Sequence, residues 1–494
     1  MADIAASASM TQASSNLSDE QELNEFREIV WGPNIRIDVF QRWSQGFEFS
    51  DSEPSALVQR QGGPCAVIAP VQAYLLKTVL SETSSQNFRD LTAEQCKLLL
   101  IQAICSILKK CKDDKFRIVT LPNEDTVPSN TAAPAPVPEL SQVPAESSTS
   151  TEPSANVLPS QRTAGWVPDE FHERLSVHSF DNIEEVEQFY MDNYHVLTGS
   201  YGVLKFMYTV LLTKARRTNS ILYFLYIIPF DAYKLMKLYR FQKVQNIIAE
   251  LLDSSEPLIH DEYGCGSQGL INLMITGQAV PHVWDHDKDV GGLKLRGISQ
   301  QSDIGFLTLM EQLRYCTVGS FYKNPKNPVW VMASETHLTV LFSNEKNLVS
   351  KETPSEVARR VFKSYDPDGN NFIPSPVLQD VLRCLELVSE PEYVDIMSKK
   401  LDPEGLGIIL LNAFMDEFFP EEKRSTPDTF DLIHYNGIPR SNVEDQVKYH
   451  HGAAIILESD LRSVSISNPM ITCLQTKWPN IEVNWEDNRT PSLN

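Results

Sequence analysis

The turn Gly62-Gly63-Pro64-Cys65, followed by an apolar run, constrains the fold more than any other stretch of this sequence. Two adjacent glycines permit positive φ angles and a close approach of backbone segments, and the proline fixes φ near the value of a first helical turn. The apolar residues that follow predict a helix of at least twelve residues, with a bend or distortion at Pro70. Cys65 is therefore expected in the first turn of a buried helix.

The position of Cys65 at a helix start makes it a candidate nucleophile. Unpaired amides and the positive end of the helix dipole favour a thiolate, which is the reactive form of cysteine. Gln59, six residues upstream, carries a side-chain amide that can stabilise an oxyanion. The alternative is an unreactive buried thiol, because cysteine is among the most buried residue types and this short motif is a weak signal.

A thiol nucleophile needs a base, and His337 is the best placed of the ten histidines. Apolar runs on either side of Ser334-Glu335 predict a β-hairpin, and His337 opens its second strand. A strand histidine that faces a helix start is the arrangement of papain-like thiol hydrolases, although a structural histidine is the alternative. Asn436 completes a Cys, His, Asn order along the chain, but a turn asparagine before Gly437 is the favoured interpretation of that residue.

Length, charge and cysteine pattern exclude several classes of protein. The chain has 494 residues, enough for two or three domains, and a net charge of −22, which argues against nucleic acid as a partner. No apolar run is long enough for a bilayer span and no secretory signal is recognised, so we expect no membrane partner and a location in the nucleus and/or cytoplasm. Eight cysteines without a C-x-x-C pair indicate neither a disulfide framework nor a zinc ribbon.

The order of helical and strand patterns predicts an α+β fold interrupted by a helical module. A composition rich in proline and serine marks a loop that cannot bury enough apolar area to fold. The predicted organisation is a disordered tail at 1–17, a part with the Cys65 helix at 18–122, a disordered loop at 123–162, a part with the His337 strand at 163–349, a helical pair at 350–422, and C-terminal strands at 423–494.

The helical pair contains two acidic turns with the spacing of calcium loops, beginning at Asp366 and Asp402. The last position of such a loop requires a bidentate glutamate, and here it is Val377 in the first turn and Ala413 in the second. We therefore predict a helix–loop–helix pair without calcium that serves as a scaffold or docking surface. A calcium sensor is the alternative.

Longer motifs give the chain a resemblance to a known family. They are FQRWSQGFEFSDSEPSALVQRQGGPCAVIAPVQAYLLK, GSQGLINLMITGQAV, GFLTLMEQLRYCTVGS, SETHLTVLF, LDPEGLGIILL and CLQTKWPNIEVNW. In these motifs the chain resembles the MINDY family of deubiquitinases, most closely the member with an EF-hand-like insert, and the similarity covers nearly all of the folded chain. One unusual segment, at 215–245, is longer and more aromatic than the family pattern. A translated intron is the favoured explanation, and a lineage-specific helix or a segment that touches a membrane are the alternatives.

The resemblance implies a papain-like cysteine protease variant that cleaves isopeptide bonds in polyubiquitin, with a preference for lysine-48-linked chains. It implies that Cys65 is the nucleophile, His337 the general base and Gln59 a residue of the oxyanion hole. The implied partners are polyubiquitin chains and ubiquitinated proteins, and no cofactor or metal is implied. A non-catalytic adaptor that binds ubiquitin, or that docks through the EF-hand-like pair, is the alternative.

Overall fold

One mixed sheet of six strands organises the structure, a computed structural model that describes residues 22–24, 26–82, 89–122, 166–215, 257–350, 353–366, 370–420, 425–457 and 468–494. The predicted tail at 1–17 and loop at 123–162 lie outside the described residues, as does the unusual segment at 215–245 apart from Ala215. The strands are β1 Phe116–Thr120, β2 Ser176–Phe180, β3 Lys288–Val290, β4 Leu293–Leu295, β5 Gly305–Thr308, β6 Val329–Ala333, β7 Leu338–Phe342, β8 Phe372–Pro374, β9 Ile408–Leu410, β10 Thr429–Tyr435, β11 Tyr449–Ile456 and β12 Ile481–Trp485.

Helices cover both faces of this sheet and also form a separate module. Residues 22–24 and 26–31 are helical as well, and bury Leu23, Phe26 and Val30. No described helix is both long and apolar enough to cross a membrane. The α-helices are Ile37–Arg42, Cys65–Glu82, Ala93–Cys111, Pro168–Glu173, Ile183–Asp192, His195–Thr198, Gly202–Lys214, Gln268–Thr276, Leu309–Gln312, Ser320–Lys323, Pro354–Ser364, Leu378–Cys384, Pro391–Leu401, Leu411–Phe418 and Pro469–Gln475.

The sheet has the strand order β12-β11-β10-β7-β6-β5 and is antiparallel except between β5 and β6. The predicted hairpin is confirmed, because β6 and β7 pair from Ala333 opposite Leu338 to Val329 opposite Phe342. β7 also pairs with β10, although the helical module separates these two strands in sequence. The mixture of helices with a largely antiparallel sheet confirms the α+β class.

Alternating side chains along the strands divide the interior into two cores. Val340 of β7 belongs to the larger core, which also contains the Cys65–Glu82 helix, and Leu341 belongs to the smaller core on the opposite face. This alternation follows from the period of two residues in a strand. The smaller core includes Trp330, Trp478 and Leu493, so the far end of the chain packs against the back of the sheet.

Local sequence signals explain where the main helices begin. Thr92 and Gln95 form a capping box ahead of the Ala93–Cys111 helix, and Pro70 lies inside the Cys65–Glu82 helix without ending it. The two helices pack on each other in the larger core. Burying each large apolar side chain there contributes about 1.5–3 kcal/mol to folding, which holds the start of the Cys65 helix against the sheet.

Candidate active site

The helix that carries Cys65 begins where the glycine and proline turn predicts. The carbonyl oxygen of Pro64 accepts hydrogen bonds from the amides of Val67 and Ile68, both at 3.0 Å, and Cys65 is the first helical residue. Gly63 has φ +129°, and a Cβ atom there would lie 2.9 Å from the carbonyl oxygen of Gly264. A side chain at this position is excluded both by φ and by space.

The thiol of Cys65 is buried and protonated, contrary to the predicted thiolate. Its side chain is 3% exposed, and Sγ donates to the carbonyl oxygen of Gly63 at 3.7 Å. Burial raises the pKa of the thiol to about 11, while hydrogen bonds from the amides of Leu338, Ala66 and Cys65 itself act in the opposite direction. The prediction is wrong because burial destabilises the charged thiolate more than the backbone amides stabilise it.

A chain segment that the sequence analysis did not identify covers the start of this helix. Gly266 packs so closely that a Cβ atom there would lie 2.3 Å from Cβ of Ala66. Gly264 accepts a hydrogen bond from Nε1 of the buried Trp43 at 2.9 Å. The half-buried Cys265 lies between these glycines, and its charge interaction also raises the pKa of the Cys65 thiol. In the sequence, only Gly264 and Gly266 could have indicated that this segment approaches the helix so closely.

His337 lies directly before β7, at the end of the turn that joins β6 to β7. The turn is closed by Ser334, whose Oγ accepts from the amide of His337 at 3.1 Å and whose amide donates to the carbonyl oxygen of His337 at 3.0 Å. The side chain is buried, and burial lowers the pKa of the imidazole to about 4, against the hydrogen bond to Asn436 that raises it. His337 is therefore neutral near pH 7.

Asn436, directly after β10, is the hydrogen-bond partner of His337. Its Oδ1 lies 3.0 Å from Nε2 of His337 and also accepts from the amide of Ile438 at 3.0 Å. Its Nδ2 donates to the carbonyl oxygen of Ser492 at 3.0 Å. This residue therefore forms the predicted turn before Gly437 and also holds the histidine, a role that the sequence analysis had judged the weaker interpretation.

The amide orientation of Asn436 fixes which nitrogen of the imidazole carries hydrogen. An oxygen that faces Nε2 can only accept, so Nε2 carries the hydrogen and donates it. Nδ1 is then the nitrogen with the free lone pair, and it is the one that can take a proton from a thiol. His337 thus has the tautomer that a general base requires.

The fold brings the backbone beside His337 to the thiol of Cys65. The backbone amide of Leu338, the next residue along the chain, is near enough to the thiol of Cys65 to lower its pKa. The Cys65–Glu82 helix packs directly on β6 and β7. The start of this helix therefore lies near the end of the hairpin that carries His337, although the two candidate residues are 272 positions apart in the chain.

Gln59 lies along the same end of the sheet. Its backbone amide donates to the carbonyl oxygen of Gly437 at 2.7 Å, beside Asn436, and its side chain is 1% exposed. Nε2 donates one hydrogen to the carbonyl oxygen of Gln61 at 2.8 Å, in the turn before Cys65. An amide nitrogen carries two hydrogens, so one donor of Gln59 is left for a substrate oxygen. Its role in an oxyanion hole stays a prediction.

Across the part of the chain that the structure describes, no group of three histidine, cysteine or acidic residues is arranged to hold a metal ion. All eight cysteines lie within the described residues, and none of them forms a disulfide. The candidate active site thus consists of the thiol of Cys65, the imidazole of His337, the side-chain amide of Gln59 and backbone amides.

Comparison with known proteins decides the family. The family model described as "Deubiquitinating enzyme MINDY-3/4, conserved domain" matches residues 27–142 and 146–364. The chain belongs to the MINDY-3/4 family of deubiquitinating enzymes. The matched ranges contain both Cys65 and His337 and end before Asn436.

Relatives of the MINDY-3 type extend the similarity over nearly the whole chain. A Drosophila melanogaster protein named ubiquitin carboxyl-terminal hydrolase MINDY-3 homolog is 54% identical over 97% of this chain and 84% of its own length. The Homo sapiens ubiquitin carboxyl-terminal hydrolase MINDY-3 is 44% identical over 95% of this chain and 99% of its own length. A Homo sapiens protein named probable ubiquitin carboxyl-terminal hydrolase MINDY-4 is 26% identical over 72% of this chain and 40% of its own length.

No solved structure matches the chain. The predicted family and enzyme class, a MINDY-3-type deubiquitinating hydrolase, are confirmed by the family model and by the relatives. The remaining question is which residues do the chemistry and on which bond.

Proposed function

We propose that this MINDY-3-type chain is a cysteine-type deubiquitinase that hydrolyses isopeptide bonds in polyubiquitin, with Cys65 as nucleophile and His337 as general base. One observation carries the proposal. The backbone amide of Leu338 acts on the thiol of Cys65, and the adjacent His337 has its Nε2 held by Asn436 at 3.0 Å. We take the free Nδ1 of His337 as the base that serves the nucleophile.

In the first step, Nδ1 of His337 takes the proton of the Cys65 thiol as sulfur bonds to the isopeptide carbonyl carbon. Both groups are neutral in the free enzyme, since burial raises the pKa of the thiol to about 11 and lowers that of the imidazole to about 4. Proton transfer is therefore expected together with attack on bound substrate, not from a preformed ion pair. Gln59 and the amides at the helix start stabilise the oxygen that becomes negative.

In the second step, the imidazolium of His337 gives its proton to the departing lysine amine as the carbon–nitrogen bond breaks. A thioester between Cys65 and the ubiquitin carboxyl terminus is left. Water attacks this thioester while His337 again accepts a proton, and the collapse returns that proton to the sulfur and releases the ubiquitin carboxylate. Each proton taken is given back, so the sequence needs no cofactor.

We assign the catalytic fold as a variant of the papain-like class. The support is an N-terminal nucleophile helix packed on a largely antiparallel sheet, with histidine and asparagine at the ends of adjacent strands β7 and β10. The chain order of Cys65, His337 and Asn436 is that of papain-like enzymes. Lysine-48-linked chains are the proposed preferred substrate, as the family resemblance implies, and the nucleus and/or cytoplasm the proposed location.

A ubiquitin probe with an electrophile at its C-terminus tests this function. The wild-type chain should form a covalent adduct with the probe and cleave lysine-48-linked chains, and Cys65→Ala and His337→Ala should do neither. Cys384→Ala is the matched control, because this thiol is exposed and lies in the helical module. A Cys65→Ala protein that still cuts chains, or a wild-type chain that leaves the probe unreacted, would contradict the proposal and favour the adaptor.

We also propose that the helical module is an EF-hand-like pair that does not bind calcium. Two helix–loop–helix units are joined by β8 and β9, which pair with Ile373 opposite Ile409. In both loops the first aspartate accepts two backbone amides: Asp366 those of Asn370 and Asn371, and Asp402 those of Leu406 and Gly407.

The position that needs a bidentate glutamate is apolar in each loop of this pair, Val377 and Ala413. Calorimetry is expected to give no heat of binding with micromolar calcium, and saturable binding would revive the calcium sensor. Adding glutamate through Val377→Glu and Ala413→Glu provides the matched comparison, because only those variants regain the missing oxygens.

A further inference from the structure

Residues 492–494 reach the hydrogen-bond partner of the proposed base. Nδ2 of Asn436 donates to the carbonyl oxygen of Ser492 at 3.0 Å and lies 3.4 Å from the backbone oxygen of Asn494. Oγ of Ser334, which closes the turn before His337, contacts Oδ1 of Asn494 at 2.5 Å. Residues 492–494, hereafter the 492–494 segment, thus touch both residues that hold the histidine.

The 492–494 segment is fixed at this position by one buried side chain and by its own hydrogen bonds. Leu493 is 3% exposed and belongs to the smaller core behind the sheet. Oγ of Ser492 donates to the backbone oxygen of Asn494 at 2.7 Å and accepts from the backbone amide of Asn494 at 3.0 Å. The two backbone oxygens that face Asn436 are therefore held by packing and by a local turn.

The backbone oxygens of the 492–494 segment control the orientation of the side-chain amide of Asn436. The two ends of an asparagine amide have similar shape, so its orientation is decided by which end meets donors and which meets acceptors. The backbone oxygens of Ser492 and Asn494 require Nδ2 on their side, because they can only accept, and Oδ1 is then left for Nε2 of His337. With the amide turned over, Nδ2 would face Nε2, the hydrogen would move to Nδ1, and the base would lose its lone pair.

We propose that the 492–494 segment is a positioning element for His337, which acts by holding the amide of Asn436 in the orientation that keeps the hydrogen on Nε2. The inference rests on the proposed function, because it concerns the base of that reaction. The amide of Ile438 supports the same orientation from within the turn, and the segment supplies the acceptors on the opposite side. Residues distant from the thiol in sequence would thus set the tautomer of the base.

The test is a double-variant cycle in the full chain. Leu493→Asp places a charge in the smaller core and should release the segment, which we expect to lower kcat for chain cleavage by about 100-fold with little change in KM. Asn436→Ala should lower kcat comparably. The double variant should be no slower than Asn436→Ala alone, because the segment acts through that amide.

A second readout reports the tautomer directly. In ¹⁵N spectra of the histidine rings, the wild-type His337 should show hydrogen on Nε2, and Leu493→Asp should show a mixture or a shift toward Nδ1. A loss of stability alone would not move this signal. Ser492→Ala with Asn494→Ala loosens the segment without a core substitution, and Leu406→Asp, on a side chain that is 70% exposed, is the matched control.

The outcomes separate the inference from the proposed function. If the wild type does not react with the ubiquitin probe, the proposed function fails and the inference fails with it. If the wild type reacts, the inference alone is overturned by normal kcat in a folded Leu493→Asp variant, by additive losses in the double variant, or by an unchanged tautomer. Should Leu493→Asp not fold, normal kcat in Ser492→Ala with Asn494→Ala overturns it.

Discussion

Nε2 of His337 lies 3.0 Å from Oδ1 of Asn436, and this contact joins the ends of two neighbouring strands of the sheet, although the two residues are 99 positions apart in the chain. It fixes the ring of the histidine and its tautomer together. Because the oxygen of Asn436 also accepts from the amide of Ile438, the partner is itself held in place. A base that is already in position can take the proton without first rearranging, and this favours a fast chemical step.

Replacing Asn436 should therefore slow the chemical step. Asn436→Ala is expected to lower kcat about 100-fold and to leave KM close to its original value, because the misplaced ring affects proton transfer more than binding. Steady-state cleavage of ubiquitin chains measures both constants. Asn193→Ala, at a helix end far from the thiol in sequence, should retain full activity, and equal losses in the two variants would contradict the assignment.

The two glycines before Cys65 should differ sharply in their tolerance of a side chain. Gly63→Ala is expected to destabilise the protein by about 1–3 kcal/mol and to reduce activity, since φ is +129° and the new Cβ would meet the carbonyl of Gly264. Gly62→Ala has no atom within 4 Å of its Cβ and should change little. Thermal unfolding and probe labelling measure the difference, and indistinguishable variants would refute it.

The pH dependence of stability should include contributions from the two buried groups of the site. Burial lowers the pKa of His337 from 6.5 to about 4, so the unfolded chain binds more protons between these values and the free energy of unfolding falls as pH drops below about 6.5. Burial raises the pKa of Cys65 from 9.0 to about 11, so stability also falls as pH rises above about 9.

Chemical denaturation across pH measures the histidine contribution by difference. Between pH 6.5 and 4, the wild type should lose up to about 3 kcal/mol more than His337→Gln, which has no imidazole to charge. His286→Gln, at an exposed histidine, should follow the wild type instead. Identical acid profiles for wild type and His337→Gln would show that the imidazole titrates normally.

The thiol of Cys65 should react slowly with small reagents when ubiquitin is absent. It is 3% exposed and its pKa is raised to about 11, so little thiolate is available near pH 7. Iodoacetamide should modify the exposed Cys384 first, and mass spectrometry of digested samples gives the order. Rapid modification of Cys65 ahead of Cys384 would mean that the free enzyme holds an open thiolate.

Removing the side-chain amide of Gln59 should reduce kcat without preventing adduct formation with the probe. Loss of one oxyanion donor typically lowers kcat by about 100- to 1,000-fold, and Gln59→Glu tests the donor while it keeps the size. Gln61→Ala is the control, because Gln59 donates to the backbone carbonyl of Gln61, which this substitution keeps. Equal rates for Gln59→Glu and wild type would remove Gln59 from the mechanism.

Short-range patterns in the sequence are enough to predict the helix and the hairpin that carry the site. Gly63 and Pro64 require a turn followed by a helix start at Cys65, and alternating apolar runs around Ser334 require the hairpin that presents His337, because these are effects of neighbours a few residues apart. The family resemblance fixed the enzyme class, which the comparisons confirm.

The pKa of Cys65 and the hydrogen-bond partners of His337 depend instead on long-range packing. The prediction of a thiolate failed because desolvation depends on everything packed around Cys65, including Cys265 and the end of β7, and not on the helix start alone. Asn436 and the 492–494 segment reach His337 only because β10 lies beside β7 and Leu493 is buried behind the sheet. No local pattern in the sequence encodes contacts between residues so far apart in the chain.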